Sequence, residues 1–215
     1  TDGKIVKEIK HYSEIAEDGT IINTVAISRK HTGTKGALFS GVRNVNYLRL
    51  YVPLGSKLIS AEGFKAPPGN LFKPVKDGYA PDEDLERIQG TVYVDPQSGT
   101  RINNEFNRTV FGNWIMVDPG EEVEVTFKYE LPDKLKSTAS GGIQGALGLD
   151  NKFVNYKMLV EKQPGAKNTT FESAVIVKNK NIAARVGSEV ALKNNGWQYK
   201  SALDSDKYYG IVLEE

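Results

Sequence analysis

The chain has 215 residues with 28 basic and 27 acidic side chains, so its formal net charge is +1, and it contains no cysteine. Disulfides, thiolate metal sites and cysteine nucleophiles are therefore excluded. Binding to a phosphate backbone needs a concentrated basic face, which this balanced composition does not indicate, so we expect no nucleic-acid partner. No segment approaches the roughly 20 apolar residues of a membrane-spanning helix, so we expect this fragment not to be membrane-inserted.

The first predicted element is a long hairpin between Lys4 and Lys30. Two strand-like runs, Ile5–Ile15 and Ile21–Arg29, flank a turn whose Asp-Gly pair tolerates positive φ. The segment 63–86, which follows two further predicted strands, carries four of the nine prolines and has no sustained periodicity. It is predicted to be a long Pro-rich loop, and such loops are often functional.

The segment 108–131 carries the clearest strand signals in the chain. Val110–Val117 is apolar on both faces, which predicts a strand covered on both sides. Residues 122–130 alternate between apolar and polar, which is typical of a half-buried strand. The sequence Asp-Pro-Gly at 118–120 predicts a turn, so we expect the two strands to form a hairpin.

Residues 133–151 form a Gly- and Ser-rich connection that is either a domain linker or the long loop of a hairpin. Several short strands are predicted after it, and no stretch has helical periodicity for more than a turn or two. The predicted class is all-β, an immunoglobulin-like β-sandwich of two packed or tandem units. The predicted domains are 1–132 and 152–215, the latter a smaller β-domain or a continuation of the same sandwich.

Several segments together resemble the C-terminal β-rich part of a bacterial domain-of-unknown-function family, the one numbered four thousand and twelve. They are YLRLYVPLGSKL at 47–58, FGNWIMVDPGE at 111–121, LVEKQPG at 159–165 and the stretch 203–210. The resemblance implies an extracytoplasmic location in the bacterial cell envelope, with the full-length protein anchored in the membrane upstream of this fragment. We also expect the fragment to be a piece of a longer protein, because it opens without an initiator methionine.

The aromatic residues of the Pro-rich loop, Phe64, Phe72 and Tyr79, are the candidate ligand contacts. Aromatic side chains stack on sugar rings and anchor protein partners. The competing and favoured interpretation is that they fold back onto the sandwich, because large apolar side chains are usually buried. By the same reasoning Trp114 and Trp197, which lie in strand-like sequence, are predicted to be core residues.

No catalytic constellation is predicted. His11 and His31 have polar neighbours and are interpreted as surface residues, not metal ligands. No nucleophile elbow of the form G-x-S-x-G occurs. The acidic run 82–86 lacks the ligand spacing of a calcium loop, so a solvated loop is favoured over a calcium site. Asn113 is predicted to face solvent. No metal or cofactor is expected.

The sequence leaves three functions open. The first is a non-enzymatic β-sandwich module that binds or displays at the bacterial cell surface, with a cell-wall glycopolymer or another surface protein as partner. The second is an accessory domain of an enzyme that processes envelope glycopolymers, with the catalytic part upstream. The third is a structural spacer, which predicts no ligand at all.

Overall fold

The structure is a computed structural model that describes residues 2–72, 78, 80, 82–136, 153–177, 181–186, 190–193 and 196–214. Within these ranges the chain forms fourteen β-strands, one α-helix and two 3-10 turns. The strands lie in three sheets, which confirms the predicted all-β sandwich class. The chain divides into two compact units. No helix in the described ranges combines the length and apolar character needed to cross a membrane.

Unit 1 consists of residues 1–5 and 28–132. It contains β3 (Asn44–Pro53), β4 (Lys57–Glu62), α1 (Glu83–Gln89), β5 (Tyr93–Val94), β6 (Arg101–Glu105), β7 (Arg108–Val117) and β8 (Glu122–Glu130). One sheet has the order β3-β7-β6-β5, and in the other sheet β8 lies between β4 and β2 (Ile21–His31). The ring of Phe111 on β7 lies 6.0 Å from that of Phe127 on β8, centroid to centroid. The two sheets of unit 1 therefore face each other across an apolar core.

Unit 2 consists of residues 6–27 and 133–215. Its strands are β1 (Ile5–Ile15), β9 (Phe153–Val160), β10 (Thr169–Val177), β11 (Asn181–Val186), β12 (Val190–Lys193), β13 (Gly196–Ala202) and β14 (Lys207–Glu214). One sheet has the order β12-β13-β10-β1 followed by β2, and the other has the order β11-β14-β9. The ring of Trp197 on β13 lies 4.4 Å from that of Tyr209 on β14, centroid to centroid, and both side chains are at most 1% exposed. This unit is also a two-sheet sandwich with an aromatic core.

The predicted hairpin at 108–131 is wrong, because β7 and β8 belong to different sheets. β7 pairs with β3 and β6, whereas β8 lies between β2 and β4. The turn itself is present, since the Glu121 N–H donates to the Asp118 carbonyl at 3.0 Å. A period-two pattern and a tight turn determine a chain reversal, but the reversal can also carry the chain to the facing sheet. The next strand along the chain, Phe153–Val160, does not pair with β8 either, since it pairs with the strand Lys207–Glu214 in another sheet.

The long N-terminal hairpin of β1 and β2 is confirmed, and β1 also pairs in parallel with β10. In this register His11 lies opposite Ser173, 162 residues away in the chain. The pairing places residues 6–27 with the C-terminal strands, whereas the sequence-based division assigns them to 1–132. Local periodicity carries no information about a pairing over such a separation. Residues 137–151 of the predicted connection lie outside the described ranges.

The segment 63–86 is not a continuous loop, because it contains a 3-10 turn at Gly69–Leu71 and the beginning of α1. Asp82 caps this helix, and its side chain accepts hydrogen bonds from the backbone N–H groups of Asp84 and Leu85, both at 3.0 Å. The acidic residues that follow Asp82 lie in the first turn, where the helix dipole favours negative charge. The acidic run is therefore a helix N-terminus and not a loop, but its residues are exposed to solvent as the favoured prediction expected.

Candidate functional site

The outer face of the sheet β3-β7-β6-β5 is defined by the alternation of β7. Phe111, Ile115 and Val117 are at most 2% exposed and line the core of unit 1. Since successive side chains of a strand point to opposite faces, Gly112 and Trp114 lie on the outer face. The prediction that β7 is covered on both faces holds at Val110, which also lies on the outer face and is 1% exposed, but Trp114 and Met116 on that face are only half-buried.

The neighbouring strands add aromatic and cationic residues to this outer face. β3 places Tyr47 opposite Trp114 and Arg49 opposite Gly112. On the other side of β7, β6 places Arg101 opposite Gly112. Directly paired residues of a sheet share a face, so one surface carries the two arginines on either side of a glycine.

Three aromatic rings lie together on this surface. The Trp114 ring is half-buried, and its centroid lies 4.8 Å from that of Tyr47 in an edge-on arrangement and 5.3 Å from that of Phe72. Tyr47 lies over Gly112, where a Cβ atom would be only 2.5 Å from the tyrosine hydroxyl oxygen. The Tyr47 ring can occupy this position because residue 112 is a glycine and has no side chain.

A buried carboxylate orients the polar side of the same surface. Glu105 is 3% exposed and forms an ion pair with Arg49. Its Oε2 also accepts a hydrogen bond from the Tyr51 hydroxyl at 3.1 Å, and its Oε1 accepts one from Asn103 Nδ2 at 2.8 Å. The guanidinium of Arg49 lies over the Tyr51 ring, 5.2 Å from its centroid. Such a fully engaged carboxylate holds its donors in place, because each of them would lose a charge-assisted bond by moving.

The electrostatic environment of Tyr47 reflects the two arginines. Burial raises the pKa of Tyr47, and the positive charges of Arg101 and Arg49 oppose that shift. Both guanidinium groups therefore act on the tyrosine hydroxyl. Arg49 is neutralised by Glu105, whereas Arg101 is exposed and has no hydrogen bond or ion pair among the described residues. The surface consequently carries one positive charge that no described side chain neutralises.

These residues line an open cleft of about 400 Å³, which we call the Trp114 cleft. Its walls come from β3, β6, β7 and the end of α1, and its lining residues are Tyr47, Arg49, Gln89, Arg101, Asn103, Glu105, Val110, Gly112 and Trp114. Asn103 connects the sheet to the helix, since its Nδ2 also donates to the Gln89 carbonyl at 3.0 Å. The volume lies in the range of small-molecule sites, roughly 300 to 1,000 Å³.

The candidate ligand residues of the Pro-rich loop have different positions. Phe72 is 49% exposed and lies against Trp114 beside the cleft. Phe64 is half-buried and packs on Phe127 of the core, with ring centroids 4.6 Å apart. Tyr79 lies outside the described residues. Ligand contact by these three residues stays a prediction.

Both histidines are buried, so their interpretation as surface residues is wrong. His11 is 3% exposed, and its Nδ1 lies 2.8 Å from the hydroxyl oxygen of Ser173. His31 is fully buried, and its Nδ1 accepts a hydrogen bond from the Gly33 N–H at 3.0 Å. Its Nε2 therefore carries the proton and donates to the Val42 carbonyl at 3.1 Å. Polar sequence neighbours do not indicate exposure in a strand, because they lie on the other face.

Two other predictions on β7 are corrected by the structure. Asn113 does not face solvent, since it is 5% exposed and its Nδ2 donates to Thr100 Oγ1 at 2.9 Å. Trp197 is a core residue as predicted, but Trp114 is half-buried on the outer face.

Among the described residues no group of three or more His, Asp or Glu side chains is arranged to hold a metal ion.

Sequence reasoning identified none of the residues that line the cleft, among them Tyr47, Arg49 and Arg101. A signal was present in β3, where Tyr47, Arg49 and Tyr51 alternate with leucines and so share one face. That pattern shows a polar, aromatic face but not what lies beside it. The opposition of Arg101 to Gly112 depends on strand pairing, which the sequence of β6 does not indicate.

No protein-family model and no curated protein matches the chain. Among solved structures it is similar to an M1 zinc metallopeptidase from Deinococcus radiodurans with a bound Tyr-Ser-Ala substrate, at 10% identity and a TM-score of 0.34. Another is a two-domain M1 zinc metallopeptidase with bound L-tryptophan, at 11% identity and a TM-score of 0.36. Each similarity covers 98% of this chain but only 42% or 43% of the other. Similarity this weak carries no argument, and the class of the protein rests on its own two β-sandwich units.

Proposed function

We propose that this chain is a non-enzymatic, saccharide-binding β-sandwich module of a bacterial cell-envelope protein, and that it binds its ligand in the Trp114 cleft. The observation that carries the proposal is the half-buried Trp114 ring, with Tyr47 at 4.8 Å and Phe72 at 5.3 Å, in an open cleft of about 400 Å³. A partly accessible group of aromatic rings offers the large, rigid contact area with which proteins bind ligands.

The chemistry of the cleft suits a sugar ring. A pyranose presents an apolar C–H face that packs on a flat aromatic ring, and hydroxyl groups at its edge that need hydrogen-bond partners. Trp114 supplies the ring, while Arg49, held by Glu105, supplies donors at the edge. Asn103 offers its carbonyl oxygen as an acceptor, since both hydrogens of its Nδ2 are used by Glu105 and the Gln89 carbonyl. Because these groups are already oriented, a ligand would bind without the entropic cost of ordering them.

The carboxylate of the cleft favours binding over catalysis. Glycoside hydrolysis ordinarily uses two carboxylates about 5 to 9.5 Å apart. Glu105 is the single carboxylate lining the cleft in the described part of the chain, and Arg49, Tyr51 and Asn103 occupy its oxygens. The role of Glu105 is to position its donors.

The envelope location and the upstream membrane anchor rest on the resemblance to the bacterial domain-of-unknown-function family. A cell-wall glycopolymer is the partner that agrees with both that resemblance and the cleft. An accessory domain of an envelope enzyme would use the same cleft to hold the polymer for an upstream catalytic part. A pure spacer would bind no saccharide, so a binding measurement separates it from the other two.

The test is a saccharide-binding screen followed by titration calorimetry on three proteins. They are the wild-type chain, Trp114→Ala and the matched control Tyr208→Ala, which removes an aromatic ring that is 54% exposed on unit 2. We expect saturable binding that Trp114→Ala weakens at least about tenfold and that Tyr208→Ala leaves unchanged. Circular dichroism and Trp197 fluorescence check that each variant is folded. Binding that survives in Trp114→Ala, or no saccharide bound at all, would contradict the proposal.

A further inference from the structure

We propose that the Trp114 cleft is specific for acidic saccharides, and that Arg101 binds the carboxylate of a hexuronic acid whose ring lies on Trp114. This inference rests on the proposed function and adds the chemical class of the ligand. It starts from the charge of the cleft, where Arg49 and Glu105 neutralise each other and Arg101 has no partner among the described residues.

Arg101 lies close enough to Trp114 to contact a sugar ring that packs on the indole. Arg101 lies opposite Gly112, and Trp114 follows two residues later on β7. Two residues along a strand span about 7 Å, and adjacent strands lie about 5 Å apart. A guanidinium starting from that position reaches the edge of a sugar ring on Trp114. A carboxylate attached to the ring therefore falls within its range.

The local environment of Arg101 strengthens its attraction to a carboxylate. Tyr47 and Trp114 form an apolar wall beside the two guanidinium groups, and the charges of both arginines act on the Tyr47 hydroxyl. A carboxylate beside such a wall is less hydrated than in bulk water, which strengthens its attraction to Arg101. The planar guanidinium also matches a carboxylate with two parallel hydrogen bonds, which an uncharged sugar hydroxyl does not offer.

The charge of Arg101 also makes an anionic ligand a better fit to the cleft than a purely neutral one. A site for neutral sugars needs hydrogen-bond donors and acceptors, and an unneutralised arginine would add only a charge to desolvate. Glu105 does not offset Arg101, because its oxygens are engaged by Arg49, Tyr51 and Asn103. An anionic ligand therefore gains more from Arg101 than a neutral ligand does, because its bonds to the guanidinium are charge-assisted.

The experiment compares oligogalacturonate with its methyl ester, which keeps the sugar rings and replaces each charged carboxylate by a neutral ester. Calorimetric titrations use the full 215-residue chain, Arg101→Gln and the control Lys157→Gln, which removes an exposed positive charge from unit 2. We expect the wild type to bind the acid on the order of tenfold more tightly than the ester, since bonds between charged groups are the stronger ones. Arg101→Gln should weaken binding of the acid much more than binding of the ester and so abolish this preference, whereas Lys157→Gln should preserve the preference.

The outcomes separate this inference from the proposed function. Equal binding of acid and ester by the wild type would overturn the inference but leave a saccharide-binding module. A preference for the acid that persists in Arg101→Gln would overturn the role of Arg101. Equal weakening of both ligands by Arg101→Gln would mean that the residue shapes the cleft and does not bind the carboxylate. If neither ligand binds and the wider screen also finds no saccharide, the proposed function fails as well.

Discussion

Acidification is expected to destabilise unit 2 through His11. This side chain is 3% exposed in the core, between Ser173 of the neighbouring strand and Asn23 of β2. Burial lowers the pKa of His11 from 6.5 to about 4, and the hydrogen bond with Asn23 opposes the shift. The folded protein therefore holds the imidazole neutral, whereas the unfolded chain binds a proton near the ordinary pKa.

The size of the effect follows from this difference in pKa. Between pH 6.5 and about pH 4, His11 binds a proton more often in the unfolded state than in the folded state. The free energy of unfolding therefore falls as the pH falls. Each pH unit in this window costs up to about 1.4 kcal/mol, and the whole window costs at most about 3.4 kcal/mol. From about pH 7.5 to about pH 5 the expected loss is about 2 kcal/mol. The stability lost in this way is fully present at pH values above the pKa of His11 in the unfolded chain.

The two tryptophans allow this loss to be measured in unit 2 alone. Trp197 is 1% exposed in unit 2, and Trp114 lies in unit 1, so a Trp114→Phe background leaves a fluorophore that reports on unit 2. Urea unfolding at both pH values is compared between this background and the same protein with His11→Asn, which keeps a polar atom near Ser173. We expect the loss of about 2 kcal/mol in the background and a much smaller loss in the variant. An equal loss in both proteins would refute the reasoning.

Two further predictions concern the Trp114 cleft. Replacement of Arg49 by Met leaves the buried Glu105 without its cation. We expect the free energy of unfolding in urea to fall by about 2 kcal/mol. This is less than the roughly 3–5 kcal/mol lost when a fully buried ion pair is broken, because Arg49 is partly exposed. A second substitution, Glu105→Gln, should restore part of that loss, and wild-type stability of Arg49→Met would contradict this account. Gly112→Ala places a Cβ atom 2.5 Å from the Tyr47 hydroxyl oxygen, so the ring must move. We expect saccharide affinity to fall severalfold while stability changes by less than about 1 kcal/mol, and unchanged affinity would show that the ring position is unimportant.

Sequence patterns predicted most of the strands because their information is local. The alternation in β8 and the continuous apolar run in β7 both correspond to the observed strands, and the Asp-Gly turn joins β1 to β2 as expected. The same patterns did not show that β7 and β8 lie in facing sheets. A turn and a period define where a chain reverses, but the partner of each strand depends on which apolar faces meet.

The candidate site was less accessible to sequence analysis. The sequence directed attention to the aromatic residues of the Pro-rich loop, of which Phe72 lies beside the cleft. Trp114 was expected in the core, and the alternation in β3 placed Arg49 on a face with Tyr47 and Tyr51 without showing what lies beside it. The sequence around Arg101 gave no signal that distinguished it from an ordinary surface charge. Arg49 and Arg101 come from strands on either side of β7 and share a surface only through the registers of those strands.

By itself the sequence determined the absence of thiol chemistry, the all-β class and the alternation that gives each strand an apolar face, because composition and period are properties of the chain alone. Only the tertiary structure decided the parallel pairing of β1 with β10 and the burial of His11 that results from it. It also decided which side chains surround Trp114. These features arise from contacts between residues far apart in the chain, and their free energy depends on the surfaces that meet and not on any local pattern.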